Sequence, residues 1–298
     1  MSKKSNVNQV TQRAISIIII IVFSLSQNSK GSTLKVAKEP APSRLSVIFV
    51  GGPTVILEIG GLRLMTDPTL DQAGTSYEIR GKNTVHKLDG PAIQDIGKID
   101  IVLLSHDQHP DNLDNSGRAS LTRAGKVLTT KESAHRLKGN AVGLSTWESI
   151  QLTSPMGDKI AITAVPARHG PYGIENISGS VTGFVIAVRG KENYEVYISG
   201  DTEYFTGIDE IAKKFHPQYA LVFAGSAQPA GPVNVTMNTN DLIEVARVFP
   251  KSLIMPLHCE GWSHYTQHAS DYVKAFTAFG MPDRVKILSP GIQTVLKP

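Results

Sequence analysis

The sequence predicts an α/β protein in which two β-sheets pack face to face and helices cover both outer faces, an αββα sandwich of four layers. Three observations favour this fold class. Short, strand-like apolar segments recur from residue 45 onward, and they are too numerous for a single sheet with one open face. Helical apolar spacing is interleaved with the later strands. A chain of 298 residues with 41% hydrophobic and 19% charged composition is ordinary for a globular protein.

An antiparallel meander opens the predicted domain. Turn residues at Gly51-Gly52-Pro53 and Gly60-Gly61 separate three apolar segments, which we predict as strands at 45–50, 54–59 and 62–66. The polar, glycine-containing stretch 68–95 has little periodicity. It predicts a long loop of the kind that borders functional sites.

Strands and helices alternate in the rest of the chain. Three of the predicted helices show apolar residues at spacings of three and four. The predicted strands are 99–104, 126–129, 150–152, 159–165, 179–188, 195–199, 219–223, 253–255 and 285–288, and the predicted helices are 115–124, 131–138, 206–215, 239–249 and 270–279. Burying this many strands in one chain favours two packed sheets.

The N-terminal segment carries the whole net charge. Residues 1–30 contain Lys3, Lys4, Arg13 and Lys30 and no acid, so these four account for the formal charge of +4 and leave residues 31–298 neutral. Since the charge does not belong to the body of the protein, we expect no nucleic-acid partner.

The same segment has the order of a secretory signal peptide. Its basic start precedes an apolar run from Ala14 to Leu25, and a polar stretch follows. This run is short against the roughly 20 residues that span a bilayer. We therefore expect export to the periplasm or beyond, with an uncleaved membrane anchor through residues 14–25 as the alternative. Residues 31–44 are predicted to be a linker and 45–298 the folded domain.

Histidines and aspartates follow four of the predicted strands. His106, His109 and Asp111 come directly after strand 99–104. The other three positions are His169 after 159–165, Asp201 after 195–199 and His258 after 253–255. Because strand ends converge at an edge of a sheet, and because imidazole with carboxylate suits zinc, iron or manganese, this pattern predicts a metal site.

A metal site of this composition suits hydrolysis. A bound divalent ion lowers the pKa of its water to about 7, so that hydroxide forms at neutral pH. Two ions roughly 3.5 to 4 Å apart activate water and stabilise developing charge together. The sequence has neither a Gly-x-Ser-x-Gly motif nor a P-loop, and Cys259 has the character of a small buried residue rather than a nucleophile.

The chain resembles the metallo-β-lactamase superfamily over roughly residues 45–298. Ordered landmarks carry the resemblance: Gly51-Gly52-Pro53, Thr66-Asp67-Pro68, Leu104-Ser105-His106, Ala167-Arg168-His169-Gly170, Ser199-Gly200-Asp201-Thr202 and Pro256-Leu257-His258. The branch that it is most similar to includes ascorbate-6-phosphate lactonase and N-acylphosphatidylethanolamine-hydrolysing phospholipase D. The resemblance implies the αββα sandwich of this superfamily and one or two divalent ions, Zn²⁺ first, with Mn²⁺ or Fe²⁺ as alternatives.

The most diagnostic motif of that superfamily, His-x-His-x-Asp-His, is matched imperfectly. In strict register, Gln108, Pro110 and Asp111 occupy the three positions after His106, whereas one extra residue places His109, Asp111 and Asn112 there. We favour the second register because it keeps two imidazoles and a carboxylate. The resemblance then implies one ion at His106, His109 and His169 and another at Asp111, Asp201 and His258, with Asp201 as a candidate bridge. Asn112 in place of a histidine leaves open whether a second ion binds.

Asp111 and His264 are the candidate catalytic residues. His264 lies on a loop close behind His258, where it would contact substrate or donate a proton, and a solvated histidine is the alternative. Helix capping is the structural alternative for Asp201 and the favoured role for Asp114. Asp67 is expected to be a turn residue or to accept a hydrogen bond from a ligand imidazole.

The sequence thus predicts a metal-dependent hydrolase that uses metal-bound hydroxide on a small-molecule lactone, ester or phosphodiester. The resemblance, rather than residue spacing, supplies that range of substrates. A β-lactam-hydrolysing enzyme and a non-catalytic metal-binding protein of the same fold are the alternatives. Gln108, Pro110 and Asn112 in the diagnostic loop motivate the non-catalytic alternative.

Overall fold

The structure is a computed structural model that describes residues 45–79 and 83–297. The predicted signal peptide or anchor at 1–30 and the linker at 31–44 lie outside these residues and stay predictions. Within the described part of the chain, every helix is too short or too polar to traverse a bilayer.

Fifteen strands make up the described β-structure. They are β1 (Leu45–Gly51), β2 (Thr54–Ile59), β3 (Leu62–Thr66), β4 (Ser76–Ile79), β5 (Asn83–His86), β6 (Ile101–Leu103), β7 (Lys126–Thr130), β8 (Ala141–Leu144), β9 (Ser149–Thr153), β10 (Lys159–Pro166), β11 (Thr182–Arg189), β12 (Tyr194–Ile198), β13 (Tyr219–Phe223), β14 (Leu253–Leu257) and β15 (Gln293–Val295). Strands β4 and β5 pair only with each other, as a separate hairpin.

The first sheet has the strand order β15-β1-β2-β3-β6-β7-β8. Its first three strands form the predicted antiparallel meander, and β3, β6, β7 and β8 run parallel. The turn between β2 and β3 requires glycine, since Gly60 has φ 56° and a Cβ there would lie 2.6 Å from the Ser154 hydroxyl oxygen.

The second sheet has the order β14-β13-β12-β11-β10-β9. Strands β12, β13 and β14 are parallel to one another, and β11 is antiparallel to both β10 and β12. Strand β10 therefore points the same way as β12. The carboxyl ends of β10, β12 and β14 consequently lie at one edge of this sheet.

Among the described residues, six α-helices flank the sheets: α1 (Asn115–Ser120), α2 (Lys131–Leu137), α3 (Glu175–Ser178), α4 (Thr206–Lys214), α5 (Thr239–Val248) and α6 (Ala269–Ala278). Helix α5 begins with a reciprocal capping box between Asn238 and Asp241, which satisfies backbone N–H groups that the helix leaves free. Helix α4 buries Ile208 and Ile211 at a spacing of three, as its periodicity predicts.

Three layers of buried side chains hold the sandwich together. The inner faces of both sheets meet in one core, for example through Leu57 from β2 and Ile186 from β11. The outer face of the second sheet packs on α4, α5 and α6, and that of the first sheet packs near α1 through Leu121. This arrangement of helix, sheet, sheet and helix confirms the predicted four-layer fold.

Some local predictions were wrong. The helix predicted at 115–124 is the short α1 followed by a 3-10 turn at Leu121–Arg123, and the strand predicted at 285–288 is only an isolated bridge between Ile254 and Val285. The stretch 68–95 contains the β4–β5 hairpin rather than an uninterrupted loop. Strands β8 and β15 and helix α3 were not predicted. Each has only three or four residues, too few to show a period.

Candidate metal centre

The predicted site residues meet at one edge of the sandwich. His106 follows β6 of the first sheet, and His169, Asp201 and His258 follow β10, β12 and β14 of the second. All are buried, and Asp111 joins them from the loop after His106. The topology therefore brings the predicted histidines and aspartates together from both sheets.

The first group, which we call the imidazole cluster, contains His106, His109, His169 and Asp201. One potential ligand atom from each lies within 4.8 Å of the others. The Nδ1 atom of His109 is 2.9 Å from Nε2 of His106 and 3.0 Å from Nε2 of His169. Three ring nitrogens thus converge on a common point.

Hydrogen bonds on the far side of two rings fix where their protons sit. Nδ1 of His169 donates to the Val235 carbonyl at 2.7 Å, so Nε2 of the neutral ring carries the lone pair. The Ser105 hydroxyl donates to Asp67 at 2.5 Å and can therefore accept a hydrogen bond from Nδ1 of His106 at 2.9 Å. Nε2 of His106 is again left as a lone pair facing inward. Outer partners of this kind orient metal-binding imidazoles.

The second group, which we call the carboxylate cluster, contains Asp111, Asp201 and His258. Its potential ligand atoms also lie within 4.8 Å of one another. Nε2 of His258 is 3.4 Å from Oδ2 of Asp111, and Nδ1 of His258 is 3.3 Å from Oδ1 of Asp201. Asp201 belongs to both clusters, which is the position that a bridging ligand requires.

One atom of His258 fits a cation better than it fits its protein neighbours. Nδ1 of His258 is buried and makes no well-aligned hydrogen bond, although Oδ1 of Asp201 lies 3.3 Å away. A buried ring nitrogen without a hydrogen bond is costly, and a metal ion would satisfy it. The donor set of imidazoles and carboxylates is the one that zinc, iron and manganese take.

The pKa shifts have burial as their main cause. Burial lowers the pKa of His169 to about 3 and that of His258 to about 4, so both rings are neutral and able to bind metal at pH 7. Burial and the nearby Asp111 carboxylate raise the pKa of Asp201 well above its usual range. Burial opposes ionisation of Asp111 as well, but His264 and His258 outweigh it and lower that pKa. Two carboxylates held this closely favour a cation between them.

Asn112 has a structural part in the site. Its amide nitrogen is 3.1 Å from Oδ2 of Asp67 and 3.1 Å from Oδ1 of Asp201, so it donates to both carboxylates. Asp67 also accepts from the backbone N–H and hydroxyl of Ser105, rather than from an imidazole as one prediction had it. Asn112 thus holds Asp201 in place, and Asp67 holds His106 in place through Ser105. Their positions after β3 and within the His106 loop were the available sequence signal.

His264 lies against the carboxylate cluster. Its Nε2 is 2.9 Å from Oδ2 of Asp111, and its ring contacts that of Tyr265 with centroids 4.7 Å apart. The His264 side chain is only 8% exposed rather than solvated, and its catalytic role stays a prediction. Tyr265 was not predicted. Its ring also contacts that of His258, and its hydroxyl is buried beside the Asp111 carboxylate.

Backbone geometry supports the placement of two ligand candidates. His258 has φ 57°, in the left-handed region that costs a non-glycine residue of order 1–3 kcal/mol. Gly200, just before Asp201, has φ 61°, and a Cβ there would lie 2.5 Å from the Thr182 carbonyl oxygen. Local strain at His258 and the need for glycine at 200 are the signature of a site that the surrounding fold holds in place.

Of the two aspartates with a predicted capping role, only Asp114 caps a helix in the structure. Asp114 caps α1, since its carboxylate accepts from the Gly117 N–H at 2.8 Å. Asp201 does not cap α4, because the capping position there is Phe205. Cys259 is buried, and burial raises its thiol pKa, as expected for a packing residue rather than a nucleophile.

A cavity of about 640 Å³ opens over both clusters. His109, Asp111, His169, Asp201 and His264 form its polar wall. Its volume lies within the range of roughly 300–1,000 Å³ usual for small-molecule sites. The candidate metal centre is therefore accessible to a small substrate.

Comparison with known proteins identifies the family. Residues 62–259, more than half of the chain, match the family described as "Beta-lactamase superfamily domain". The chain belongs to the metallo-β-lactamase superfamily. The predicted superfamily is confirmed, whereas the predicted branch of ascorbate-6-phosphate lactonase stays a prediction.

Relatives within this superfamily share about a quarter of their residues with the chain. A UPF0173 metal-dependent hydrolase from Methanosarcina mazei is 26% identical, over 64% of this chain and 79% of the relative. Another, from Pelotomaculum thermopropionicum, is 25% identical, over 83% of this chain and 98% of the relative. With the family match, they confirm the prediction of a metal-dependent hydrolase.

Two solved structures have the same fold. An isothiocyanate hydrolase from Delia radicum gut bacteria superimposes with a TM-score of 0.73 at 18% identity, covering 85% of this chain and all of that one. A possible metal-dependent hydrolase from Veillonella parvula gives 0.70 at 16% identity with the same coverage. At these identities, the similarity supports the sandwich fold.

Proposed function

We propose that the imidazole and carboxylate clusters hold two divalent ions, Zn²⁺ first among them, and that the protein hydrolyses a lactone, ester or phosphodiester. The observation that carries the proposal is that Asp201 belongs to both clusters, directly beneath a cavity. Bound ions of this kind lower the pKa of coordinated water to about 7 and polarise the oxygen that becomes charged.

The chain's own residues supply orientation. Val235 and Ser105 hold the rings of His169 and His106 with their lone pairs inward. Asn112 holds Asp201 by donating to its carboxylate. Because these partners are already in place, little reorganisation is needed when substrate binds.

His264 has the position of a proton donor. Since Asp111 accepts at 2.9 Å, Nε2 of His264 carries a proton at the cavity wall. A leaving oxygen in the cavity needs a proton when its bond to carbon or phosphorus breaks. We assign that transfer to His264 acting as an imidazolium, which becomes a neutral imidazole and regains a proton from the attacking water. Asp111 orients the ring while it serves as a ligand.

The test is removal and return of metal. Protein stripped with a chelator and then given Zn²⁺, Mn²⁺ or Fe²⁺ is assayed on a lactone, an ester, a phosphodiester and a β-lactam. We expect turnover to vanish without metal and to return with it, on at least one of the first three substrates. Metal binding without turnover of any of the four would favour the non-catalytic alternative, and preference for the β-lactam would favour a β-lactamase.

Matched variants locate the activity. His106→Ala and His258→Ala each remove one cluster's imidazole, and we expect losses of about 100-fold or more, beyond the range for outer-shell partners. The control is His135→Ala, which removes an exposed histidine on α2. Equal activity of all three variants and the wild type would overturn the assignment of the centre.

A further inference from the structure

Away from its metal-facing wall, the cavity is lined mainly by apolar side chains. Its apolar lining comes from three segments: Ile79 and Val85 of the β4–β5 hairpin, Ile174 and Ile177 at α3, and Val233 and Val235 of the loop after β13. Surfaces of this composition bind substrate by excluding water from apolar groups.

The described residues of this lining, in 45–79 and 83–297, include no lysine or arginine. Two cations of the described segments that border it are paired elsewhere: Lys87 is buried in an ion pair with Asp114 at 2.8 Å, and Arg168 pairs with Glu203 at 3.5 Å. Sites for phosphate esters ordinarily use arginine or lysine to bind the non-reacting oxygens.

Away from the metal-facing wall, the charged side chain among the described lining residues is acidic. Glu78 lies on the solvent-exposed rim, on the hairpin strand β4. A carboxylate there disfavours an anionic group that enters or leaves by the rim, although salt screens the effect. The remaining polar lining away from the metal wall, such as Gln108 and Asn176, is uncharged.

Two large apolar side chains stand exposed at the cavity. Ile177 is 60% exposed and Val233 is 48% exposed. The Val233 loop is tied to the metal centre, because the Val235 carbonyl accepts a hydrogen bond from His169. An apolar group seated between Ile177 and Val233 would cover surface that water otherwise contacts.

We propose that the substrate is an uncharged lactone or ester that carries an apolar acyl chain, and that this chain binds between Ile177 and Val233. The proposal rests on the proposed function. In the reaction, the oxygen of water forms the new bond to the carbonyl carbon and the acyl C–O bond breaks. The departing oxygen takes a proton, so a lactone gives one hydroxy acid and no oxidant or reductant is needed.

Chain length is the first arm of the test. With zinc-loaded protein, we expect kcat/KM to be at least about tenfold higher for γ-decalactone than for γ-butyrolactone, since each methylene that becomes buried contributes up to about fourfold. Bis(p-nitrophenyl) phosphate should be the poorer substrate. A preference for the phosphodiester, or equal kcat/KM for the two lactones, overturns the proposal while leaving metal-dependent hydrolysis intact.

Variants of the exposed side chains form the second arm. Ile177→Asn and Val233→Asn should each reduce the ratio of γ-decalactone to γ-butyrolactone turnover by about fivefold or more, mainly through KM, because an amide disfavours the chain. The matched control is Ile292→Asn, since Ile292 is also 60% exposed and lies outside the cavity lining. An unchanged ratio in both cavity variants counts against the proposal.

Binding provides a readout that needs no turnover. Titration calorimetry on zinc-loaded protein compares octanoate, acetate and phenyl phosphate, the first two being acids of the kind that ester hydrolysis releases. We expect octanoate to bind at least about tenfold more tightly than acetate and more tightly than phenyl phosphate. If the protein turned over none of the lactone, ester, phosphodiester and β-lactam substrates, the proposed function would fail. The binding ranking of octanoate, acetate and phenyl phosphate would then by itself support or overturn a site for an apolar chain.

Discussion

The imidazole cluster and the carboxylate cluster share Asp201 but differ in how they are built. In the imidazole cluster, three neutral rings converge, and two of them are fixed by Ser105 and Val235 behind them. In the carboxylate cluster, His258 is the one imidazole, and Asp111 completes the group with Asp201. The first cluster is ready to bind by geometry, and the second attracts an ion mainly by charge.

The difference between the clusters coincides with the position at which the chain departs from the superfamily pattern. Asn112 occupies the position of a histidine, and it donates to Asp67 and Asp201 with its amide nitrogen instead of offering a lone pair. The departure therefore removes a ligand candidate from the carboxylate cluster and none from the imidazole cluster. We expect the imidazole cluster to fill first and to hold its ion more firmly.

Loss of an imidazole from the first cluster should have the largest effect. His169→Ala removes a lone pair that Val235 orients, and we expect activity to fall by about 100-fold or more with loss of most bound metal. Elemental analysis beside the lactone and ester assays measures both quantities. Full metal content in this variant would contradict the claim that the imidazole cluster holds its ion more firmly than the carboxylate cluster does.

His258→Ala should separate the clusters. Its ring belongs to the carboxylate cluster alone, so we expect about one equivalent of metal to remain while activity falls by about 100-fold. Metal content and kcat/KM are measured on the same preparation. Loss of both ions together would show that the clusters do not bind independently.

Asn112→Ala tests whether the hydrogen bonds from Asn112 to Asp201 and Asp67 strengthen metal binding. The change removes hydrogen bonds to Asp201 and Asp67 without removing a ligand candidate, and we expect the weaker ion to bind about 10- to 100-fold less tightly. Competition with a chromogenic zinc chelator measures the two affinities. If only the tighter affinity changed, the assignment of Asn112 to the weaker site would be wrong.

Acid should release the two ions in sequence. Metal binding needs neutral imidazoles, so affinity is lost as pH falls toward the pKa of the ligands. Burial lowers the pKa of both His258 and His169, so both clusters keep neutral rings until the pH is well below 7. Protons displace the more weakly held ion first, which we place in the carboxylate cluster because it has a single imidazole. We expect its ion to leave at the higher pH during dialysis in steps, and the reverse order would contradict the comparison.

The smallest effect is expected at Tyr265. Its buried hydroxyl has at most one weak hydrogen bond, to the Asp111 carboxylate, so Tyr265→Phe in metal-free protein should change the free energy of unfolding by no more than about 1 kcal/mol. Urea denaturation measures this free energy. A larger destabilisation would show that the hydroxyl bonds strongly in the metal-free protein.

The sequence was informative where chemistry coincides with strand ends. His106, His169, Asp201 and His258 could be placed together because each follows a strong apolar strand, and the structure brings them to one edge. The register that includes His109 and Asp111 also agrees with the clusters. Their roles as ligands remain a proposal.

Other features depend on partners that no local pattern reveals. Strand β15 forms by pairing with β1. The β4–β5 hairpin contributes few apolar residues, and these pack in a small cluster around Trp262. The role of Asn112 depends on Asp67 and Asp201, which are 45 and 89 residues away along the chain. Such long-range contacts arise only in the folded chain.

Zinc titration of the metal-free protein tests the central claim most directly. We predict that the wild type binds two equivalents of zinc with unequal affinities. The tighter binding is abolished in His169→Ala, and the weaker binding is abolished in His258→Ala. His135→Ala should behave as the wild type does, because that side chain is exposed on α2. A single equivalent in the wild type, or two equivalents in all three variants, would contradict the two-cluster centre.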